Sequence, residues 1–304
     1  AKIAVIGAGY VGLTTGACLA HLGHDVVVAD NNDDRVKSLK AGIIPFFEPG
    51  LDELVSDVVK SEKLSFALGA SKASENAEFH FLCLPTPART DGSSDLSYFE
   101  EGINEILSVL QPNSIVINKS TVPLGTAKRL QEDMARTDVH IVSNPEFLSE
   151  GNAIRDFLEP SRIVIGANSR EHSERVAKLY SKLNAPILMS SWESAELIKH
   201  TANAFLAMKL TFVNEIATLC EMTGADIKDV TDGIGYDPRI GSDYMNAGPG
   251  WGGSCFPKDS ASLAQVARSF GFDFTLLEHT IDLNQKHLDR TAQKVQHLVP
   301  TGSP

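Results

Sequence analysis

Four glycines crowd a single cysteine in GPGWGGSCFPKD, residues 248–259, with Lys258 and Asp259 three and four residues beyond Cys255. Structural cysteines sit in apolar elements, as Cys18, Cys83 and Cys220 do in this sequence. Cys255 sits instead where backbone can approach a ligand closely and where a cation is near. Lys258, and any helix starting at this turn, would favour the thiolate, which is the nucleophilic form. Lys199 and Asn203 are spaced i, i+4 and project from one helix face. Taken alone, such a pair reads as solvated helix surface, since a helical lysine is usually exposed. Glu146 and Glu150, in PEFLSE, read equally as a general base or ribose ligand at a strand's carboxyl end and as simple helix caps. Together these residue types fit a thiol-dependent dehydrogenase. Hydride leaves an alcohol carbon while a base takes its proton, and the thiolate traps the aldehyde as a thiohemiacetal. A second hydride loss gives a thioester, which water releases as the acid. Such chemistry needs a nucleophile, a cation or amide donor for the oxyanion, and a base. Cys255, Lys199 with Asn203, and Asp259 or a glutamate suit those roles.

The elements that must position these groups begin at the N-terminus. Lys2 to Ile6, KIAVI, read as a short buried strand, and GAGYVG follows with Gly7, Gly9 and Gly12 in GxGxxG spacing. A helix through LTTGACLAHLG stops at Gly23, and a second strand, DVVVAD, ends in Asp30. Gly7 permits the tight turn, Gly9 lets backbone approach a pyrophosphate, and Gly12 lets helix pack on strand. The helix N-terminus supplies N–H donors and positive dipole. Asp30 would accept from the adenosine ribose hydroxyls and repel a 2′-phosphate, favouring NAD over NADP; Arg35, a few residues on, weighs the other way. A bare glycine-rich turn would lack this ordered strand, turn, helix, strand and terminal acid.

Alternation continues. HFLCLPTP, SIVINKSTVP, VHIVSNPEF, RIVIG and APILMS read as strands with loops, and SYFEEGINEILSVL as an amphipathic helix. This spacing predicts a parallel, doubly wound sheet with LPTP, KSTVPLGT and SNPEFLSEG lining one mouth. From Trp192 the pattern turns helical: a long helix to Gly224, then ADIKDVTDGIG, SLAQVARSFG and LLEHTIDLNQKHLDRTAQKVQHL. A helix of that length commonly links domains or forms a subunit interface. The expected organisation is α/β: a Rossmann-type domain over 1–191, then an all-α central dimerisation domain over 192–304 that carries Cys255. The end, VPTGSP, reads as a linker or an artificial stop.

The bulk numbers agree. The chain's 304 residues suffice for two domains, and 42% hydrophobic with 22% charged residues suits a globular protein with a sizeable core. A net charge of -12 argues against nucleic acid as a partner. The four cysteines form no CxxC pair and the nine histidines no HExxH pattern, which excludes a disulfide framework or a zinc motif. The opening apolar run breaks at Gly7, so neither a signal peptide nor a membrane span is expected. The first strand starts at residue 2, so nothing is expected ahead of the catalytic unit. A cytoplasmic, metal-independent protein is expected.

IAVIGAGYVGL, FFEPGLDELV, KSTVPLGT, SNPEFLSEGNAIRDF, SAELIKHTANAFLAMKLTFVNEIA, GIGYDPRIG and GPGWGGSCFPKD, in that order, resemble the UDP-glucose/GDP-mannose dehydrogenase family over nearly the whole chain. GWGGSCFPKD looks most like its UDP-glucose branch. The resemblance implies oxidation of UDP-glucose to UDP-glucuronate with two NAD consumed and Cys255 as nucleophile. Lys199 and Asn203 would stabilise the oxyanion and orient the sugar, Asp259 would assist a water or Lys199, and Thr121 would position that water. Glu146 would act as acid and base during thioester hydrolysis. Gly7, Gly9, Tyr10, Val11, Gly12, Asp30, Arg35, Thr86, Thr121, Glu150 and Lys258 would contact NAD. The sugar nucleotide would meet Glu146, Phe147, Leu148, Glu150, Tyr244, Asn246, Gly248 and Gly252, with Arg239 reaching it from a neighbouring subunit. The long helix would form the homodimer. Family members continue into a further Rossmann-like domain closing over the uridine and diphosphate. This chain stops before it, so a fragment that binds NAD but turns over poorly is expected. Three other readings stand beside this one: a non-catalytic dimerising NAD-binding module, a related nucleotide-sugar dehydrogenase acting on GDP-mannose or a UDP-N-acetyl sugar, and a hydroxyacid or 6-phosphogluconate-type dehydrogenase, which needs no nucleophilic thiol.

Overall fold

A computed structural model describes residues 1–89 and 93–298; the closing VPTGSP lies outside the described residues. The chain divides into two compact units, residues 1–87 with 95–199, and residues 88–94 with 200–304.

The first unit holds eight strands: β1 (Lys2–Ile6), β2 (Asp25–Asp30), β3 (Leu64–Leu68), β4 (Phe79–Leu82), β5 (Ile115–Asn118), β6 (His140–Ser143), β7 (Ile163–Gly166) and β8 (Ile187–Ser190). Between them lie α1 (Tyr10–His21), α2 (Asp33–Lys40), α3 (Leu51–Lys60), α4 (Ala70–Ser74), α5 (Ser97–Ile106), α6 (Thr126–Asp133), α7 (Ala153–Leu158) and α8 (Arg170–Ala177). The strands form one sheet in the order β3-β2-β1-β4-β5-β6-β7-β8. β1 pairs in parallel with β2, Ile3 facing Val26, and with β4, Ile3 facing Phe79. The chain order therefore reverses between β1 and β4, which is where doubly wound sheets bind ligands. The expected parallel sheet holds through β6. There it is corrected: β7 runs antiparallel to β6, and β8 pairs in parallel with β7. Strand β3, LSFAL, is an addition; its short alternation of buried and exposed residues left little sequence signal.

Period-two alternation assigns each strand residue to a face. Phe81, Ile117 and Val142 join Leu13, Leu19 and Ile165 in one core. Their sequence neighbours Leu82, Val116 and Ile141 join Phe99, Ile103 and Trp192 in the other. Trp192 opens the long helix α9 (Trp192–Thr223), and its indole N–H donates to the Ile141 carbonyl at 2.9 Å. That bond seats the first turn of α9 beneath β6.

The second unit contains the rest of α9, then α10 (Ile227–Gly235), α11 (Phe256–Ser269) and α12 (Thr275–Leu298) around a small core of Ala204, Leu263, Ala264 and Leu277. Gly224, at φ +78°, ends α9 as its sequence position predicts. Helix α11 starts six residues earlier than SLAQVARSFG suggests, at Phe256 rather than Ser262. Pro257 explains the early start, because proline is favoured in a helix's first turn. Among the described residues, no helix is long and apolar enough to cross a membrane.

His80, in β4, is 0% exposed, and burial pushes its imidazole down to about 4. A depressed value means that the folded state binds its proton less readily than the unfolded chain, whose histidines titrate near 6.5. This contribution to stability is present above about pH 6.5 and disappears as pH falls toward 4. Relative to a His80→Phe variant, the wild-type chain should lose about 3 kcal/mol across that interval. Urea denaturation of both proteins at several pH values measures this, and parallel pH slopes would contradict it.

Candidate active site

Two different pressures act on the glycines of the β1–α1 turn. Gly7 lies at φ +99°, and a Cβ there would meet the Cys83 carbonyl oxygen at 2.3 Å. At Gly12 a Cβ would meet the Gly7 oxygen at 1.8 Å, so the fold itself demands both glycines. A Cβ at Gly9 would meet nothing within 4 Å. Protein packing leaves that space open, as a pyrophosphate lying against the turn requires. No side chain caps α1 and no acid occupies its first turn, so its leading amides keep their capacity for an anion. Tyr10 and Val11 form that first turn. Asp30, at the end of β2, accepts from the Ala8 amide at 2.9 Å and from Arg35 at 3.0 Å through one oxygen, and from the Asn32 amide at 2.9 Å through the other. Asp30 thus braces the turn, and Arg35 is its ion-pair partner. These residues fit NAD.

The neighbouring loops are stitched together at the carboxyl ends of β4, β5 and β6. Ser120 accepts from the Leu84 amide at 2.9 Å and donates to the Leu84 carbonyl at 2.8 Å. Thr86 donates to the Thr121 carbonyl at 2.8 Å. Beneath them Lys119 is 5% exposed and donates to Asn144 Oδ1 at 3.2 Å. Tyr180 donates to the same oxygen at 2.5 Å, and the Asn144 amide donates to the Val164 carbonyl at 2.8 Å. Burial pushes Lys119 down to about 8. Sequence reading missed this lysine, although its place before Ser120 in KST was visible.

Glu146 and Lys199 form a buried ion pair, Nζ to Oε1 at 2.9 Å, with side chains 10% and 5% exposed. The other Glu146 oxygen accepts from the Leu148 amide at 2.6 Å. The helix-cap reading is not met, since Leu148 lies in the loop ahead of α7; the glutamate braces its own loop and faces a cation. Phe147 lies between cations, with Arg162 at 3.8 Å and Lys199 at 5.4 Å from its ring centre. Glu150 is exposed. One turn before Lys199, Glu196 accepts from the Gly125 and Ala127 amides at 2.6 and 2.9 Å, clamping the start of α6. Burial pushes its carboxyl up to about 7. Asn118, Ser120, Thr121, Ser143, Glu196 and Lys199 line a small pocket.

In the second unit, Cys255 occupies the N-cap position of the 14-residue α11, without a side-chain capping bond, and is exposed; Cys18, Cys83 and Cys220, elsewhere in the chain, are buried. Burial pushes the Cys18 and Cys83 thiols up to about 12, which keeps them inert. Asp259, 1% exposed, accepts from Asn203 Nδ2 at 2.6 Å and pairs with Lys258 at 2.7 Å. The solvated-surface reading of Lys199 and Asn203 is overturned: they are 4% and 7% exposed, each engaged with a buried carboxylate. The glycine-rich loop hangs from Trp251. Its backbone exchanges hydrogen bonds with Asn284, both at 2.9 Å, and its indole donates to Thr211 at 2.8 Å. A tryptophan among four glycines was the available signal for that anchor. Tyr244 is exposed at φ +60°, Asn246 and Gly252 are exposed, and Gly248 donates its amide to Asn214 at 2.9 Å. Arg239 is exposed and tied to Asp237 at 2.6 Å.

Fold and residues define a dinucleotide-binding α/β chain that carries a solvent-facing thiol at a helix N-terminus. Residues 1–184 match the family model described as the UDP-glucose/GDP-mannose dehydrogenase NAD binding domain, and residues 193–286 match the same family's central domain. The chain belongs to the UDP-glucose/GDP-mannose dehydrogenase family, and its cofactor is NAD. It is 45% identical to a UDP-glucose 6-dehydrogenase of Rhizobium meliloti over 97% of this chain and 70% of that one. A Bacillus subtilis UDP-glucose 6-dehydrogenase is 43% identical over 94% of this chain, which spans only 63% of that relative's length. Among solved structures, a UDP-glucose dehydrogenase from Pyrobaculum islandicum superposes with a TM-score of 0.89 at 37% identity, covering 93% of this chain and 68% of that one. A Mycobacterium tuberculosis 3-hydroxyisobutyrate dehydrogenase shares the fold alone, at a TM-score of 0.69 and 17% identity over 95% of this chain and 94% of that one.

Proposed function

We propose that this chain is the NAD-binding and central portion of a cytoplasmic enzyme that oxidises UDP-glucose to UDP-glucuronate in four electrons. The carrying observation is Cys255, exposed at the N-terminus of α11 while the other three thiols are buried. The names of the curated relatives support UDP-glucose as the sugar nucleotide.

Gly7, Gly9, Tyr10, Val11, Gly12, Asp30, Arg35, Thr86, Thr121, Glu150 and Lys258 would hold NAD, which when bound supplies the hydride acceptor for both oxidation steps. The C6 hydroxyl gives up its proton to a base as the first hydride leaves, and an aldehyde results. Cys255 Sγ attacks the aldehyde carbon, forming a C–S bond and an oxyanion that becomes the thiohemiacetal. Lys199 and Asn203 stabilise that oxyanion, being buried donors held ready by Glu146 and Asp259. Loss of the second hydride leaves a thioester. Water positioned by Thr121, with Glu146 taking its proton, attacks the acyl carbon; the C–S bond breaks, and acid and thiol are released. Asp259 assists by orienting Asn203. Phe147, Leu148, Tyr244, Asn246, Gly248 and Gly252 would contact the sugar nucleotide, and Arg239 would reach that of a partner subunit.

The same reading makes the protein a homodimer through α9. Phe205, Phe212 and Leu219 recur every seventh residue and are 58%, 54% and 53% exposed, an apolar stripe too regular for free surface.

At the full length of its relatives, the protein should yield two NADH for each UDP-glucose and prefer it to GDP-mannose and UDP-N-acetyl sugars. One NADH per sugar, or preference for another nucleotide, would sink this assignment. In sedimentation equilibrium the chain should be a dimer and Phe212→Glu a monomer; a wild-type monomer at micromolar concentration would overturn the interface.

A further inference from the structure

The motif FFEPGLDELV takes no part in the chemistry above, yet it contains a charge that is expensive to place. Glu48 lies in the loop between α2 and α3 and is only 3% exposed. No Lys, Arg or His lies within ion-pairing distance of it among the described residues. Its carboxylate is satisfied from two directions instead. Tyr10 donates its hydroxyl at 2.6 Å, and the Gly151 and Ala153 amides donate at 2.8 Å each. Burial works against this charge, but the phenol and the two amides outweigh it and hold the carboxyl below its usual range.

The donors come from two functional segments. Tyr10 is the first residue of α1, directly after Gly9 of the dinucleotide turn. Gly151 and Ala153 close the loop that carries Glu146 and Glu150 and open α7. Tyr10 is itself held between Phe46, whose ring centre is 5.4 Å away, and the Ser149 carbonyl at 3.4 Å. A carboxylate serving only to tie down its own loop would not need acceptor bonds to residues 38, 103 and 105 positions away.

We infer that Glu48 is a positioning residue that couples occupancy of the dinucleotide turn to order in the 144–153 loop. A pyrophosphate bound at the start of α1 fixes Tyr10, Tyr10 fixes the Glu48 carboxylate, and the carboxylate fixes the Gly151 and Ala153 amides. By reciprocity, a loop that is already ordered raises affinity for the dinucleotide. The inference rests on placing NAD over the β1–α1 turn.

The test is NAD binding by calorimetry, together with hydrogen exchange of the Gly151 and Ala153 amides with and without NAD, on the 304-residue chain. Wild type should protect both amides further when NAD binds. Glu48→Gln keeps the shape but offers one acceptor oxygen where three donors converge. It should weaken NAD about tenfold and abolish the added protection, consistent with losing a charge-assisted bond. Tyr10→Phe should weaken NAD about threefold and halve the added protection, since it removes one donor. The double variant should bind no more weakly than Glu48→Gln alone. Wild-type NAD affinity with unchanged NAD-dependent protection in Glu48→Gln would overturn the coupling. So would equal loss of protection with and without NAD at unchanged affinity, the signature of a loop brace alone. If Glu48→Gln does not fold, Tyr10→Phe decides by the same criteria. A wild-type chain that fails to bind NAD would instead overturn the cofactor placement, and the coupling with it.

Discussion

A loop leaving the carboxyl end of a parallel strand carries amides that no neighbouring strand can pair. Here that obligation falls largely on buried carboxylates. Glu48 takes the amides of Gly151 and Ala153, Glu146 that of Leu148, and Glu196 those of Gly125 and Ala127. Burying three carboxylates is costly unless each is saturated with donors. Saturation fixes the loops, because moving any one of them leaves a buried carboxyl and its amide partners unpaired out of water. The loops that would face cofactor and substrate are therefore held by interactions that tolerate little displacement.

The same constraint separates exposed from enclosed groups. Cys18 and Cys83 are enclosed, and burial disfavours their thiolates; Cys255 is exposed at a helix N-terminus. Lys199 is buried against Glu146 and Asn203 against Asp259, so each donor is held by a fixed carboxylate. In the proposed reaction, donors held in this way would meet the developing oxyanion of the thiohemiacetal without reorganising. The Trp251 anchor does for the glycine-rich loop what the carboxylates do for the sheet loops.

Much of this was legible before any coordinates. Buried strands such as KIAVI and IVIN, glycines at Gly7 and Gly12, and the stop at Gly224 follow from local chemistry and appear where local chemistry puts them. The reversal of β7 was not legible, because strand direction depends on connections over the sheet edge rather than on composition. Lys199 and Asn203 looked like helix surface because the carboxylates that bury them lie 53 and 56 residues away in sequence. Glu48 and Glu196 were invisible for the same reason: a carboxylate that accepts backbone amides leaves no partner residue type to search for. α11 began early because Pro257 in its first turn reads equally well as a loop residue.

The account turns on Cys255 forming a covalent acyl intermediate. Protein at the full length of its relatives, carrying Glu146→Gln to slow hydrolysis, can be quenched after incubation with NAD and UDP-glucose and digested for mass spectrometry. The account predicts that the peptide containing Cys255 gains the mass of a UDP-glucuronyl group, and that the adduct is lost with hydroxylamine and absent in Cys255→Ser. NADH production without any adduct, and undiminished by Cys255→Ser, would contradict it.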